Sequence, residues 1–387
     1  MIKDRQTLVN GTFLATISLF GLLVFLSSQL AFSSGLSEVI DIKTLKGRIF
    51  FIADDVSVPP VPGKGISKRV YVMPINGYNP RGLLFSFDLV ADLVWYSQLK
   101  TLGFRNLSED PNLNGWFVLN LADASSGMEG QANRLSRPVP QDFHVKFDDW
   151  TTINGKNVPV YDTRVTLSPD GSKVAGLVYD SVYLGRRHVC TANTHGAEPL
   201  KCVENTEGCS GHSPVWSPDG QWLVFAGRIR ADNAACNLFE LFIVNKDGND
   251  LKQLTDVPGD KEIDSYSAAF IIAAGEKERH LHKSGHPSWS PDGKWIAFES
   301  MRGICRIHPD GTGFEVIIKD GYSPTWSPDS KMIAYATMRK DSLAQKVSSR
   351  YRFATSIYVS WADGTGATEI ARDRNLLFSD SSLNWAE

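Results

Sequence analysis

The chain has only 5 cysteines among 387 residues, and no two of them stand two residues apart in a C-x-x-C pair. That spacing is what a thiolate zinc site is commonly built on, so the pattern speaks against a metal held by the cysteines. Charge of one sign is equally scarce. The 40 basic and 43 acidic residues are interspersed and leave a net charge of −3. No basic stripe exists to track phosphates, which excludes a nucleic-acid partner. No G-x-S-x-G elbow occurs and no α/β segment follows the repeats described below, so a serine hydrolase site of that design is absent. The adjacent Asp148 and Asp149 are the nearest approach to a carboxylate pair, and neighbours in a loop are usually solvated rather than catalytic. No cofactor is expected.

Long apolar runs are also rare, and the one present lies at the start. Lys3 and Arg5 precede Leu8 to Leu26, which is close to the ~20 residues that span a bilayer. Positive charge stays on the cytoplasmic side, so the expectation is a single-pass anchor of the cytoplasmic membrane with the rest of the chain outside. A cleaved signal peptide ending near Ala31-Phe32-Ser33 is the alternative. Residues 1–33 are thus an anchor or signal peptide, 34–46 a short linker and 47–387 the folded domain. The cysteines suit export: Cys190 with Cys202, and Cys209 with Cys236, are candidate disulfides, against the alternative of buried free thiols.

What the chain does have is repetition. LSPDGSKVAGLVY from Leu167, WSPDGQWLVFAGR from Trp216, WSPDGKWIAFESMR from Trp289 and WSPDSKMIAYATMR from Trp326 are near-copies, spaced by 49, 73 and 37 residues. In each, the Pro fixes φ, the Gly permits the reversal and the Asp is available to cap free amides. The run that follows, such as Trp222 to Ala226, is apolar on both faces, as a strand between two sheets must be. A second marker follows each copy, a β-branched strand running into Asp-Gly: Leu238 to Gly248, Ile304 to Gly311 and Ser356 to Gly364. Arg69 to Gly77 ends in the equivalent Asn-Gly. One repeat is then a four-stranded antiparallel sheet, the blade of a β-propeller.

The fold expected is all-β: six blades preceded by a transmembrane helix. Gly47 to Leu84 supplies a first blade without its inner strand, Asp88 to about Arg137 a degenerate second, and the four copies open blades three to six. The tail Leu383-Asn384-Trp385 resembles the lead-in to Trp326 and is expected to be the missing inner strand, closing the ring. The stretch from Thr255 to Gly285 is an insertion, or a seventh degenerate blade.

The pattern P-x-W-S-P-D-G, an apolar strand ending near Arg, then an I-Y-V-like strand and D-G, resembles the WD-like repeat of the TolB-type propeller proteins of bacterial envelopes, over roughly 167 to 364. The resemblance implies a binding role toward an envelope lipoprotein or complex. The chain departs from it in having no recognisable α/β domain before the blades. Gly211-His212, Gly285-His286 and Gly321-Tyr322 precede three of the motif tryptophans, which places His212, His286 and Tyr322 at one channel mouth. Arg228, Arg302 and Arg339 sit where the second strand exits toward that mouth and are candidates for acidic groups of a partner. The same residues also suit bonds between blades. The reading that follows is a membrane-tethered, extracytoplasmic, non-catalytic module of the cell envelope that binds a protein or peptide. The alternative is a metal-dependent polysaccharide lyase, which similar repeats also form, with His212 and His286 on the axis and His280 or His282 as a third ligand.

Overall fold

The computed structural model describes residues 40–55, 68–77, 81–82, 90–98, 100–106, 115–120, 151–153, 156–158, 165–180, 186–193, 201–203, 206–208, 214–229, 240–255, 285–300, 302–319, 321–339, 354–372, 376–378 and 383–387. The apolar strands read from the sequence form antiparallel sheets arranged in a ring. The first holds β1 (Arg48–Asp55), β2 (Lys68–Pro74) and β3 (Arg81–Gly82). Beside it stand β4 (Val90–Tyr96), β5 (Thr101–Asn106) and β6 (Gly115–Asn120), then a lone hairpin of β7 (Thr151–Ile153) and β8 (Lys156–Val158). The third sector is β9 (Val165–Leu167), β10 (Lys173–Asp180), β11 (Arg186–Asn193) and β12 (Lys201–Cys202). The fourth is β13 (Thr206–Gly208), β14 (Val215–Trp216), β15 (Trp222–Ile229), β16 (Glu240–Asn245) and β17 (Lys252–Gln253), with β13 and β14 both paired to β15. The fifth is β18 (Gly285–Trp289), β19 (Ile296–Ser300), β20 (Gly303–Ile307) and β21 (Glu315–Ile318). The sixth is β22 (Gly321–Trp326), β23 (Met332–Arg339), β24 (Ala354–Trp361) and β25 (Thr368–Arg372).

The chain then returns to its beginning. β26 (Leu376–Phe378) and β27 (Asn384–Ala386) both pair with β1, Trp385 lying opposite Ile49 and Asn384 opposite Phe50. The tail therefore supplies the inner strand that the first blade lacks, as its likeness to the other lead-ins predicts. Six complete blades are not found, which corrects the expected count. Among the described residues five blades are complete and the second sector has three strands, β4 being its inner one. No helix among the described residues is long and apolar enough to cross a membrane, so the expected transmembrane helix is not found among them. The run Leu8–Leu26 lies outside the described residues, as do Cys209, Cys236 and the 256–284 part of the insertion.

Why the motif strands are apolar on both faces is visible in the packing. Leu223 and Phe225 of β15 pack with Ala175 and Val189 of the third sector, whereas Val224 and Ala226 pack with Trp289, Ile296 and Phe298 of the fifth. Alternate side chains of one strand thus fill two different seams. Ala297 likewise turns to the sixth blade, against Trp326 and Ile333. Fully burying side chains of this kind contributes about 1.5–3 kcal/mol each.

The turns repeat down to their hydrogen bonds. In each motif the buried serine hydroxyl, on Ser168, Ser217, Ser290 and Ser327, donates to the aspartate two residues on, at 2.6, 2.5, 2.7 and 2.6 Å. It also accepts from the backbone N–H five residues on, at 2.9 Å in all four. The aspartate accepts in addition from a turn amide, at 3.0 Å for both Asp170 and Asp219. Gly220 has φ +67°, a conformation that L side chains rarely adopt, yet the last copy carries Ser330 there at +63°. In the third sector Cys190 faces Cys202 across β11 and β12 and is bonded to it, with Cα atoms 4.0 Å apart.

The closure leaves one position no latitude. Gly47 has φ +105°, and a Cβ there would lie 2.2 Å from the Ala386 carbonyl and 2.9 Å from Trp385 Nε1. Replacing Gly47 by Ala is expected to cost at least about 1–3 kcal/mol, read as a fall in the melting temperature by calorimetry; an unchanged transition would contradict this account of the closure. A second expectation concerns acid. The Ser168 hydroxyl and then the Ser172 amide hold the Asp170 carboxyl below its ordinary value of 3.8, and Arg372 holds Glu369 below 4.5. Groups depressed in the folded state stabilise it fully above those ordinary values and lose the contribution as pH falls through the depressed ones. Unfolding free energy is therefore expected to drop as pH falls below about 4, and less steeply in Asp170→Asn; equal slopes would remove the turn carboxylates from the explanation.

Candidate functional site

The inner strands enclose a cavity of about 560 Å³ on the ring axis. Every sector contributes to it. Leu93 to Gln98 come from β4 and its turn, Thr166 and Leu167 from β9, Val215 and Trp216 from β14, His286 to Trp289 from β18, Ser323 to Trp326 from β22 and Leu383 to Trp385 from the tail. One mouth is rimmed by the motif prolines Pro169, Pro218, Pro291 and Pro328. Trp95, Trp216, Trp289, Trp326 and Trp385 stand in the wall. Trp216, Trp289, Trp326 and Trp385 are themselves buried behind it, so the lining is proline-rich, with Thr166, Ser288 and Thr325 between.

Several tryptophans lace one inner strand to the next. Trp216 Nε1 donates to the Thr166 carbonyl at 3.1 Å, and Trp326 Nε1 to that of Ser288 at 3.0 Å, in each case the residue just before the preceding copy's aromatic or leucine. Trp385 Nε1 donates instead to Lys46 O at 3.1 Å. Trp289 breaks the series: its Nε1 is buried without a hydrogen-bond partner. Asn384 does the lacing between the tail and the second sector. Its side chain accepts from Trp95 N at 3.0 Å and donates to Leu93 O at 3.3 Å.

The residues singled out in the sequence are not brought together as the aligned dipeptides suggest. His286 lines the cavity. Tyr322 does not match it in register: Tyr322 lies opposite Ala336 and Gly285 opposite Glu299, so Tyr322 is the counterpart of Gly285. The counterpart of His286 is Ser323, and each stands three residues before its tryptophan, immediately before a proline, with φ of +48° and +52°. Both inner strands carry the same bulge here, so counting back from each tryptophan pairs His286 with Ser323, whereas matching the Gly-His and Gly-Tyr dipeptides is one residue out of step. Left-handed non-glycine residues before proline are rare and cost on the order of 1–3 kcal/mol each. Arg302 is exposed in the β19–β20 turn, and Arg228 and Arg339 fall near the ends of β15 and β23. Arg302 is not among the described residues that line the cavity, and the side chains of Arg228 and Arg339 lie outside the described ones. His212, His280 and His282 lie outside the described residues, and no group of three or more metal-donor side chains occurs among the described ones.

Sequence reasoning missed Gln98, Lys100, Ser323, Asn384 and Glu387, all of which line the cavity. The available signal is the recurrent motif Trp and Pro, which mark the same axial position in each copy. The titratable lining groups are tied into structure. Tyr96 accepts from Leu167 N at 3.4 Å, and burial pushes its phenol up to about 12. Lys100 forms an ion pair with Glu387.

The lacing has a measurable consequence. Trp326→Phe removes a hydrogen bond to the Ser288 carbonyl, whereas Trp289→Phe removes an indole N–H that has no acceptor. Trp326→Phe is expected to destabilise by about 1–2 kcal/mol more than Trp289→Phe, measured by denaturant unfolding; equal losses would refute the role given to the indole bonds.

No protein-family model matches the chain. Among curated proteins, the uncharacterized protein Atu1656 of Agrobacterium fabrum (strain C58 / ATCC 33970) is 28% identical over 163 residues, 40% of this chain and 43% of that protein. The chain thus matches under half of that relative's length. Among solved structures, TolB from Acinetobacter baumannii superimposes with a TM-score of 0.55 at 13% identity, over 92% of this chain and 70% of that one. A protein described as a TolB from Agrobacterium tumefaciens gives 0.46 at 17% identity, over 87% and 94%. At such identities the likeness is one of architecture. The chain has the TolB-like β-propeller fold.

Proposed function

We propose that this chain is a non-catalytic binding module that holds a protein or peptide of the bacterial cell envelope at the proline-rimmed mouth of its channel. The observation that carries the reading is the lining itself. A rim of motif prolines, with the half-buried Trp95 between them, surrounds an axial cavity to which every sector contributes, and concave, mostly apolar sites with a few polar groups are where ligands and extended segments dock. The polar complement is supplied by Thr166, Ser288 and Thr325. TolB from Acinetobacter baumannii shares the architecture, which makes a partner in the envelope the natural class.

The finer parts of the proposal rest on sequence. Residues 1–33 anchor the chain in the cytoplasmic membrane, 34–46 are the tether, and the propeller from 47 onward is extracytoplasmic, in six sectors of which the second is reduced. The Cys190–Cys202 bond supports an oxidising compartment.

The test is site-specific photo-cross-linking in intact envelopes. A photoreactive amino acid at Pro291 or Pro328 is expected to give a discrete protein or peptide adduct, identified by mass spectrometry, whereas the same group at the outer residue Phe314 is not. Adducts formed from Phe314 alone would move the binding surface off the axis and end the proposal, as would a full-length chain that yields none from the mouth.

A further inference from the structure

We infer that β18 is the recognising strand of the channel: His286 and Ser288 together hold a carboxylate of the ligand, an acidic side chain or the C-terminus of an inserted peptide. The inference rests on the reading of the cavity as a binding site and names what that site recognises.

The alternation along β18 decides which of its side chains a ligand can meet. Gly285, Pro287 and Trp289 are buried, whereas His286 and Ser288 are half-exposed and both line the cavity. Residues two apart on a strand face the same way, with Cα atoms about 6.5–7 Å apart. One small polar group is therefore within reach of both side chains.

The other inner strands offer less. The residue just before the motif tryptophan lines the cavity in four sectors, as Val215, Ser288, Thr325 and Asn384. Val215 is apolar. Thr325 Oγ1 accepts from Trp385 N at 3.2 Å, and the Asn384 amide is engaged by Trp95 N and Leu93 O. At Ser288 the fold uses the backbone carbonyl, which takes the Trp326 indole, and so leaves the hydroxyl to the cavity.

Charge narrows the ligand. The titratable side chains of the lining are Tyr96, Lys100, His286 and Glu387. Lys100 pairs with Glu387, and Tyr96 stays neutral with its phenol pushed up to about 12. His286 is the remaining side chain that can bring positive charge to the wall. The acidic Glu299, opposite Gly285 on β19, accepts the Ser323 N–H and is not among the lining residues. At the level of His286 on the neighbouring strand, the Ser323 hydroxyl is buried with no hydrogen-bond partner, although the residue lines the cavity. This part of the wall thus holds more donors than the fold uses, which calls for an acceptor-rich group, and bonds to an ionised acceptor are about twice as strong as those to a neutral one. The left-handed backbone of His286 fits the same reading, because residues held in such conformations cluster at ligand sites.

The test uses the full-length chain and short alanine-based peptides as probes. One is capped at both ends and carries a single Asp, a second replaces that Asp by Asn, and a third has no acidic side chain but a free C-terminal carboxylate. Affinities are measured by calorimetry at about pH 6, where an ordinary imidazole is mostly protonated. The site is located by the shift of the His286 ring signal in carbon–proton spectra, assigned by its loss in His286→Gln. At least one carboxylate peptide is expected to bind roughly 5- to 10-fold tighter than the Asn peptide, and which of the two does so identifies the source of the carboxylate. The preference is expected to vanish in His286→Gln, which keeps hydrogen bonding and removes the charge. Ser288→Ala is expected to weaken the same peptide about 2- to 13-fold with no change in melting temperature, since the carbonyl that takes the Trp326 indole is retained; it carries the test alone should the histidine variant not fold. Equal affinity for all three peptides, binding that leaves the His286 signal unmoved, or a preference that survives His286→Gln would overturn the inference. An adduct formed from Pro291 as strongly in both variants as in the parent would also end it, and would leave binding at the mouth in place.

Discussion

Everything in this molecule depends on the fact that a blade cannot bury its own faces. β15 presents Leu223 and Phe225 to one neighbour and Val224 and Ala226 to the other, so each sheet is core only if both adjoining sheets are present. An open row would leave its two end sheets with an apolar face in water and an unpaired edge. The pairing of β27 with β1 removes that problem, and the bonds of Trp385 and Asn384 hold the joint. The axial cavity is a by-product of the same constraint: six inner strands side by side leave a space that their side chains line.

The turns solve a second difficulty, how to reverse the chain at the mouth without leaving amides bare. A buried serine hydroxyl takes the amide five residues on and gives its own proton to the aspartate, which takes a further amide. The three-residue device satisfies donors that would otherwise cost about 1–3 kcal/mol each if buried unpaired. It also explains why Asp recurs in every copy, since the residue has local work to do and no need of a ligand. The motif that identifies the blades is for this reason informative about the frame and nearly silent about the activity.

Much of the frame was legible. The four motif copies, the two-sided apolar strands and the tail that supplies an inner strand all follow from period, turn chemistry and the rule that edges be paired. The second sector was harder because it has no motif copy, and the count of complete blades came out one too high. The axial residues were least legible. Aligning Gly-His with Gly-Tyr put Tyr322 beside His286, but the glycines stand at different distances from their tryptophans, and the shared register makes Ser323 the counterpart. Nothing in the local sequence marks Asn384 or Gln98, whose roles exist only through partners far along the chain, Leu93 and Trp95 for one and Pro218 for the other.

The bond from Trp385 to Lys46 joins residues 339 apart, and the strand that carries Trp385 follows every other described strand of the ring. During synthesis β1 therefore waits, its inner edge available to any extended segment that passes, until the ribosome has delivered the rest of the ring. Contacts of such long range are slow to form and leave the nascent molecule sticky in the interval. A cell producing this ring must shield the waiting edge, whether with a chaperone or by holding the chain unfolded until the final strand has arrived.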